Sequence, residues 1–66
     1  MNQRTETGSA DVPGVGSVSY RVQETRNANG EIAVRVLQAA RYLDTGRPVT
    51  DDEHLRLIGR HVRAIV

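Results

Sequence analysis

The clearest pattern in this chain is an alternation of apolar and polar residues that begins at Ser17. Val18, Tyr20 and Val22 occupy the apolar positions, and hydroxyl, arginine and amide side chains occupy the others. Because successive side chains of a strand point to opposite faces, a period of two predicts a half-buried β-strand. The polar face of this strand would carry Ser17, Ser19, Arg21, Gln23 and Thr25.

A second pattern, with helical spacing, lies at the end of the chain. Thr50 is a suitable N-cap with Glu53 three residues later, and the acidic residues 51–53 complement the helix dipole. We predict a helix over residues 51–64. Its apolar stripe would consist of Leu55, Ile58, Gly59, Val62, Ile65 and Val66.

The segment between these two elements has two interpretations. Asn29-Gly30 is a strong signal for a tight turn. A period of 3.6 gathers most apolar residues of 31–43 on one face, with Gly46 and Pro48 as stop signals, and predicts a helix. A period of two, with β-branched residues at 32, 34 and 36, predicts instead that residues 31–36 are the second strand of a hairpin. The helix accounts for more residues, and both alternatives stay open.

Residues 1–16 show no apolar periodicity and contain Pro13, Gly14 and Gly16, which is typical of a solvated tail. We therefore predict a disordered N-terminal tail over 1–16 and one small domain over 17–66. The predicted fold class is α+β, with one strand followed by two helices; a β-hairpin followed by two helices is the alternative.

Composition restricts the size of the core and the class of protein. The chain has 66 residues and no Phe, Trp or Cys, so a single chain can bury little apolar surface. Folding as a homodimer would relieve this shortage. No apolar run resembles a signal peptide or a membrane span, so we expect a cytoplasmic protein without membrane contact. The net charge of +1 does not by itself indicate nucleic acid.

No arrangement of residues predicts catalysis. His54 and His61 are seven residues apart on the predicted helix, which separates them by about 10 Å, and there is no cysteine to complete a metal site. We expect no enzymatic activity, no cofactor, no metal and no small-molecule substrate. The basic side chains of the predicted helix could bind phosphate or an acidic partner; they are Arg56, Arg60 and Arg63.

The order of a polar-faced strand, a helix ending at Thr45-Gly46-Arg47 and a capped second helix resembles the ribbon-helix-helix family of repressors and antitoxins. The most specific match is the segment 46–51, Gly-Arg-Pro-Val-Thr-Asp, which is similar to the turn before that family's second helix. The resemblance implies a dimer that inserts a two-chain ribbon into the major groove of DNA. Residues that would face the bases are Ser19, Arg21 and Gln23.

The sequence therefore predicts a small dimeric DNA-binding protein, a repressor or an antitoxin, that reads the major groove with a strand. The alternative is a non-enzymatic protein-interaction module, such as an adaptor, an inhibitor or a docking domain. In that case the contact surface would be an open hairpin edge or the arginine flank of the last helix.

Overall fold

The computed structural model describes residues 2–65 and shows a three-stranded antiparallel sheet with one helix packed against one face. Met1 of the predicted tail and Val66 of the predicted apolar stripe lie outside the described residues. The strands follow one another in space in the order β1-β2-β3, so β2 is central. The elements are β1 (Asn2–Val12), β2 (Gly16–Arg26), β3 (Ile32–Tyr42) and α1 (Asp52–His61).

The predicted arrangement of one strand followed by two helices is wrong, because residues 31–43 do not form a helix, although the class is α+β. Two hairpins precede a single helix, so the chain is neither one strand with two helices, as in ribbon-helix-helix proteins, nor a hairpin with two helices. A β-bulge explains the error. Gln38 is an extra residue between the pairs Val22–Leu37 and Arg21–Ala39. It allows Leu37 and Ala40, three residues apart, both to be buried against the helix, which imitates helical spacing.

The stretch that the sequence predicted to be a disordered tail forms β1 along most of its length. Asn2–Val12 pairs with Gly16–Arg26 without a register shift. The connecting turn has Pro13 followed by Gly14, whose φ is 84°, and the N–H of Val15 donates to the carbonyl of Val12 at 3.0 Å. Pro followed by a residue with positive φ is the signature of a type II turn, so these residues direct the chain back along itself.

The second hairpin turns at the Asn-Gly signal. The side chain of Asn27 accepts hydrogen bonds from the backbone N–H groups of Asn29 (3.0 Å) and Glu31 (3.1 Å). Gly30 has a φ of 80°, and its N–H donates to the carbonyl of Asn27 at 3.0 Å. The predicted turn is therefore present, and it is followed by a strand, as in the second of the two interpretations.

The core lies between α1 and one sheet face. On β2 the even-numbered residues point toward the helix, and Val18 and Val22 are fully buried there. Ile58 of α1, also fully buried, packs against them, and Gly59 beside it is buried as well. Tyr42 fixes the start of the helix on β3, because its hydroxyl lies 2.7 Å from Nδ1 of His54. The remaining core residues are Val12, Leu37, Ala40 and Val49.

The helix predicted over residues 51–64 is present as Asp52–His61, so its cap is one residue later and its end three residues earlier than expected, and Ile65 of the predicted apolar stripe lies outside it. Asp51 is the N-cap, and its carboxylate accepts hydrogen bonds from the N–H groups of Glu53 (2.9 Å) and His54 (3.0 Å). The helix ends with Arg63 in the left-handed region, at a φ of 57°, where the Ala64 N–H donates to the Gly59 carbonyl. This is the hydrogen bonding of a Schellman C-cap.

The Asp51 cap predicts a specific response to acid. The hydrogen bond from the His54 N–H is the main cause of a pKa below the usual 3.8 for Asp51, and the His54 charge and the Glu53 N–H act in the same direction. A carboxyl with a depressed pKa stabilises the fold above its unfolded pKa, and this contribution is lost as pH falls through the folded pKa.

Replacing Asp51 with asparagine keeps a capping oxygen but removes the titration. We expect the thermal midpoint of Asp51→Asn to fall less steeply than that of the unmodified chain between about pH 5 and pH 2. Circular dichroism of the helix signal measures this. Identical acid profiles for the two chains would contradict the role given to the carboxylate.

Candidate nucleic-acid interface

The sheet face opposite α1 is mostly polar, with the exposed Val34 and Val36 toward one end, and is covered by no other element of residues 2–65. We call it the open face. On β2 it carries the odd-numbered residues, because the even-numbered ones point into the core. Strand pairing then places the odd residues of β1 beside them, with Thr7 opposite Arg21 and Ser9 opposite Ser19. From β3 the open face receives Val34, Val36, Gln38, Ala39 and Arg41.

A shallow depression lies in the middle of the open face. Small side chains form its interior, and the arginines Arg21 and Arg41 flank it, from β2 and β3. In the pairing of β2 with β3, Arg41 lies opposite Ser19 and Arg21 lies opposite Ala39. The two arginines are therefore on neighbouring strands, two residues apart in register. The depression therefore offers two guanidinium groups beside hydroxyls, a donor set that suits phosphate, carboxylate or the acceptor edge of a base. The hydroxyls are those of Thr7, Ser9 and Ser19.

A chain of amide hydrogen bonds crosses the open face from one outer strand to the other. Nε2 of Gln38 donates to Oε1 of Gln23 at 2.7 Å, and Nε2 of Gln23 donates to Oε1 of Gln3 at 3.0 Å. Each amide holds the next in one orientation, so Gln23 is fixed beside Arg21 before any ligand arrives. At the two ends of this series, the Nε2 group of Gln3 and the Oε1 atom of Gln38 have no side-chain partner within residues 2–65.

Charge pairing distinguishes the open face from the helix side of the same sheet. On the helix side, Arg4 pairs with Glu6, and both Arg26 and Arg35 pair with the buried Glu24. On the open face, no carboxylate of residues 2–65 lies within ion-pair distance of Arg21 or Arg41. Arg41 donates instead to the backbone carbonyl of Gly46 at 3.0 Å. The open face therefore has a positive centre, although the chain as a whole is nearly neutral.

The structure brings together one of the two predicted residue sets. Ser19, Arg21 and Gln23 lie in a row on the open face, although on a three-stranded sheet and not on a two-chain ribbon. Arg56 and Arg60 line a separate shallow depression on the solvent side of α1, together with Asp52 and Ala64. Arg63 lies beyond the end of α1, in its C-terminal cap, so it does not continue the row of Arg56 and Arg60 along the helix.

Sequence reasoning missed the outer-strand residues of the open face. Thr5, Thr7 and Ser9 alternate with other residues, which is a signal for a strand. The residues between them include no large apolar side chain, so the alternation does not mark a buried face. The helix predicted over 31–43 would place Gln38 and Arg41 on its polar side, because the bulge conceals their strand alternation.

Other kinds of site find less support in the described residues. In residues 2–65 no three histidine, aspartate or glutamate side chains are grouped closely enough to hold a metal ion. His54 is engaged with Tyr42 at 2.7 Å, in an edge-to-face arrangement of the two rings. Over the same residues, no helix has the length and hydropathy needed to cross a membrane.

Comparison with known proteins adds no further constraint. No protein-family model, curated protein or solved structure matches this chain.

Proposed function

We propose that this chain is a non-enzymatic DNA-binding module that reads the major groove of duplex DNA with the open face of its sheet. The observation that carries the proposal is the row Ser19, Arg21 and Gln23, fixed on a solvent-exposed sheet face beside Arg41 and without a neighbouring carboxylate on either arginine in residues 2–65. Such a role would place the chain in a compartment that contains DNA, in keeping with the predicted cytoplasmic location.

The side chains of the row match the hydrogen-bonding groups of base edges. Arginine donates two hydrogen bonds to guanine O6 and N7, glutamine pairs with adenine N6 and N7, and serine accepts or donates to either. The amide chain from Gln3 to Gln38 holds Gln23 in place, which lowers the entropy lost on binding.

The width of the sheet determines how it would enter a groove. Adjacent strands are about 4.8 Å apart, and the major groove is about 12 Å wide and admits a two-stranded ribbon, so the groove would hold the middle strand but not the full width of the sheet. The middle strand would face the bases, and the outer strands would lie toward the phosphates. By contrast, the centre of a typical protein interface is enriched in aromatic residues, and none points from this face.

The test is selection from a pool of random duplexes, followed by affinity measurements on the enriched sequence. Replacing Arg21 with alanine should weaken binding to that sequence by about 1 to 3 kcal/mol, because a bidentate base contact is lost. The circular dichroism spectrum and thermal midpoint should not change, since Arg21 is exposed. Affinity of the unmodified chain should also fall steeply with salt.

Arg56→Ala is the matched control, because Arg56 is an exposed arginine on the far side of the molecule. It should bind the selected duplex as tightly as the unmodified chain. Failure of the pool to enrich any sequence, or equal affinity for the Arg21 and Arg56 variants, would overturn the proposal.

The second candidate function is docking to another protein. It is favoured by the outer edge of β1, an 11-residue strand that no segment of residues 2–65 pairs with on that side. This candidate predicts no duplex selection and no effect of Arg21→Ala, so the same experiment separates the two functions.

A further inference from the structure

The two edges of the sheet differ in how they are protected. Along β3, the chain itself covers part of the outer edge: Pro48 forms a bridge with Arg41, and Ile65 forms a bridge with Val36. Two register shifts also interrupt the pairing of β3 with β2. Covering segments and bulges are the devices by which sheets prevent further strands from joining.

The outer edge of β1 has none of these devices. Its pairing with β2 runs through Asn2–Val12 without a bulge, and the strand contains no proline. A long, regular strand with unpaired backbone groups is a template for another strand. The protection that remains is the charge of three side chains, Arg4 and Glu6, which pair with each other at 2.9 Å, and Asp11.

The backbone groups available on this edge can be identified. The carbonyl of Ser17 accepts a hydrogen bond from Leu43 at 3.0 Å, so the odd-numbered residues of β2 bond toward β3. By alternation, the even-numbered residues of β2 bond with the even-numbered residues of β1. The backbone N–H and C=O groups that point outward from β1 therefore belong to Gln3, Thr5, Thr7, Ser9 and Asp11.

From this edge we infer that two copies of the chain pair through β1, antiparallel, about a two-fold axis at Thr7. This register overlaps all 11 residues of the strand and uses every outward backbone group. It joins the two sheets into one six-stranded sheet, with both open faces on the same side. The inference does not rest on DNA binding.

Self-complementarity of the side chains identifies a second copy as the occupant. On the open face, the axis at Thr7 places the amide of Gln3 opposite the carboxylate of Asp11, and Thr5 opposite Ser9. Hydroxyl pairs and amide–carboxylate pairs of this kind stabilise antiparallel strands. On the helix side, Arg4 lies opposite Ala10 and Glu6 opposite Gly8, so no like charges meet.

Registers displaced from Thr7 toward the start of the strand are less favourable. An axis at Glu6 brings Glu6 opposite its own copy, and an axis at Arg4 does the same for Arg4, so both place like charges directly opposite. An axis at Thr5 pairs Arg4 with Glu6 of the second copy, but the described strands then overlap over residues 2–8 only, compared with 2–12 for the axis at Thr7. The exposed ion pairs gained in this register stabilise the dimer less than the backbone hydrogen bonds that are lost.

A cysteine scan tests the register directly, because the chain has no cysteine of its own. Single variants Gln3→Cys, Thr5→Cys, Thr7→Cys and Ser9→Cys are oxidised mildly and analysed without reductant. Only a cysteine on the two-fold axis meets its own copy within the 4.4 to about 6.8 Å that a disulfide allows between Cα atoms. We expect the cross-linked dimer to be maximal for Thr7→Cys. Glu31→Cys, exposed in the second hairpin turn, is the control for random collisions.

Sedimentation over a range of concentrations provides the second measurement. An edge-to-edge contact is small, so the dimer should form in a concentration-dependent manner. Thr7→Pro removes an outward N–H but no bond to β2, so it should keep the monomer fold by circular dichroism and weaken association about tenfold or more. A chain that stays monomeric, or a cross-linking maximum at another position, would overturn the inference.

Discussion

Replacing Ile58 with alanine is expected to remove most of the stability of the chain. Ile58 is fully buried and belongs to the same core cluster as the valines of β2. Truncation of a buried isoleucine to alanine costs about 2 to 5 kcal/mol. A single chain of this length has a total stability of about 3 to 5 kcal/mol, so the loss is comparable to the whole free energy of unfolding.

Urea unfolding followed by circular dichroism measures this effect. The matched control is Leu43→Ala, since Leu43 is an aliphatic residue of the same size with 53% of its surface exposed. Its free energy of unfolding should change by less than about 0.5 kcal/mol. A loss below about 1 kcal/mol for Ile58→Ala would mean that α1 is not held on the sheet as the structure shows.

Local sequence patterns predicted the elements whose residues follow a single periodicity without interruption. The alternation from Ser17 predicted β2 and placed Ser19, Arg21 and Gln23 on one face, as the structure shows. The acidic cap and the apolar stripe predicted the last helix, which the structure confirms over Asp52–His61. The role of the three polar residues in DNA recognition stays a prediction, because position on a face does not identify a ligand.

The other strands could not be predicted from periodicity, for two different reasons. In β3 a bulge at Gln38 shifts the phase of the alternation, and this irregularity depends on pairing with β2. In β1 the helix-side positions between Asn2 and Val12 are Arg4, Glu6, Gly8 and Ala10, so Val12 at the end of the strand is its one large apolar side chain on that face. Tertiary contacts replace that signal: the ring of Tyr20 lies over Gly8, where an added Cβ would come within 2.6 Å of the phenol oxygen.

Replacement of Glu24 is expected to have the second large effect on stability. Its side chain is only 3% exposed and accepts hydrogen bonds from two arginines, at 2.9 Å from Nε of Arg35 and at 3.4 Å from Nη2 of Arg26. Arg35 also donates to the carbonyl of Val62 at the end of α1. The carboxylate therefore links the middle strand, β3 and the C-terminus of the helix.

Removing one partner of a buried ion pair leaves an uncompensated charge, which costs about 3 to 5 kcal/mol when both partners are buried. Here the arginine side chains are 32% and 34% exposed, so water can solvate them in part. We therefore expect Glu24→Gln to lower the free energy of unfolding by about 2 kcal/mol. The double replacement Glu24→Met with Arg35→Met should recover part of this loss, because it removes one of the two arginine charges that Glu24→Gln leaves unpaired.

Glu6→Gln is the control that isolates burial. Glu6 pairs with Arg4 at 2.9 Å, the same distance as in the Glu24–Arg35 pair, but the two side chains are 37% and 64% exposed. Exposed pairs contribute about 0.2 to 1 kcal/mol, so this variant should unfold at nearly the same urea concentration as the unmodified chain. Equal losses for the two glutamine variants would show that the carboxylate of Glu24 does not act through a buried ion pair. We expect Glu24→Gln to lose more stability than Glu6→Gln. We also expect the helix and sheet signals of Glu24→Gln to change at different urea concentrations, because the ion pair that joins α1 to β2 and β3 is broken.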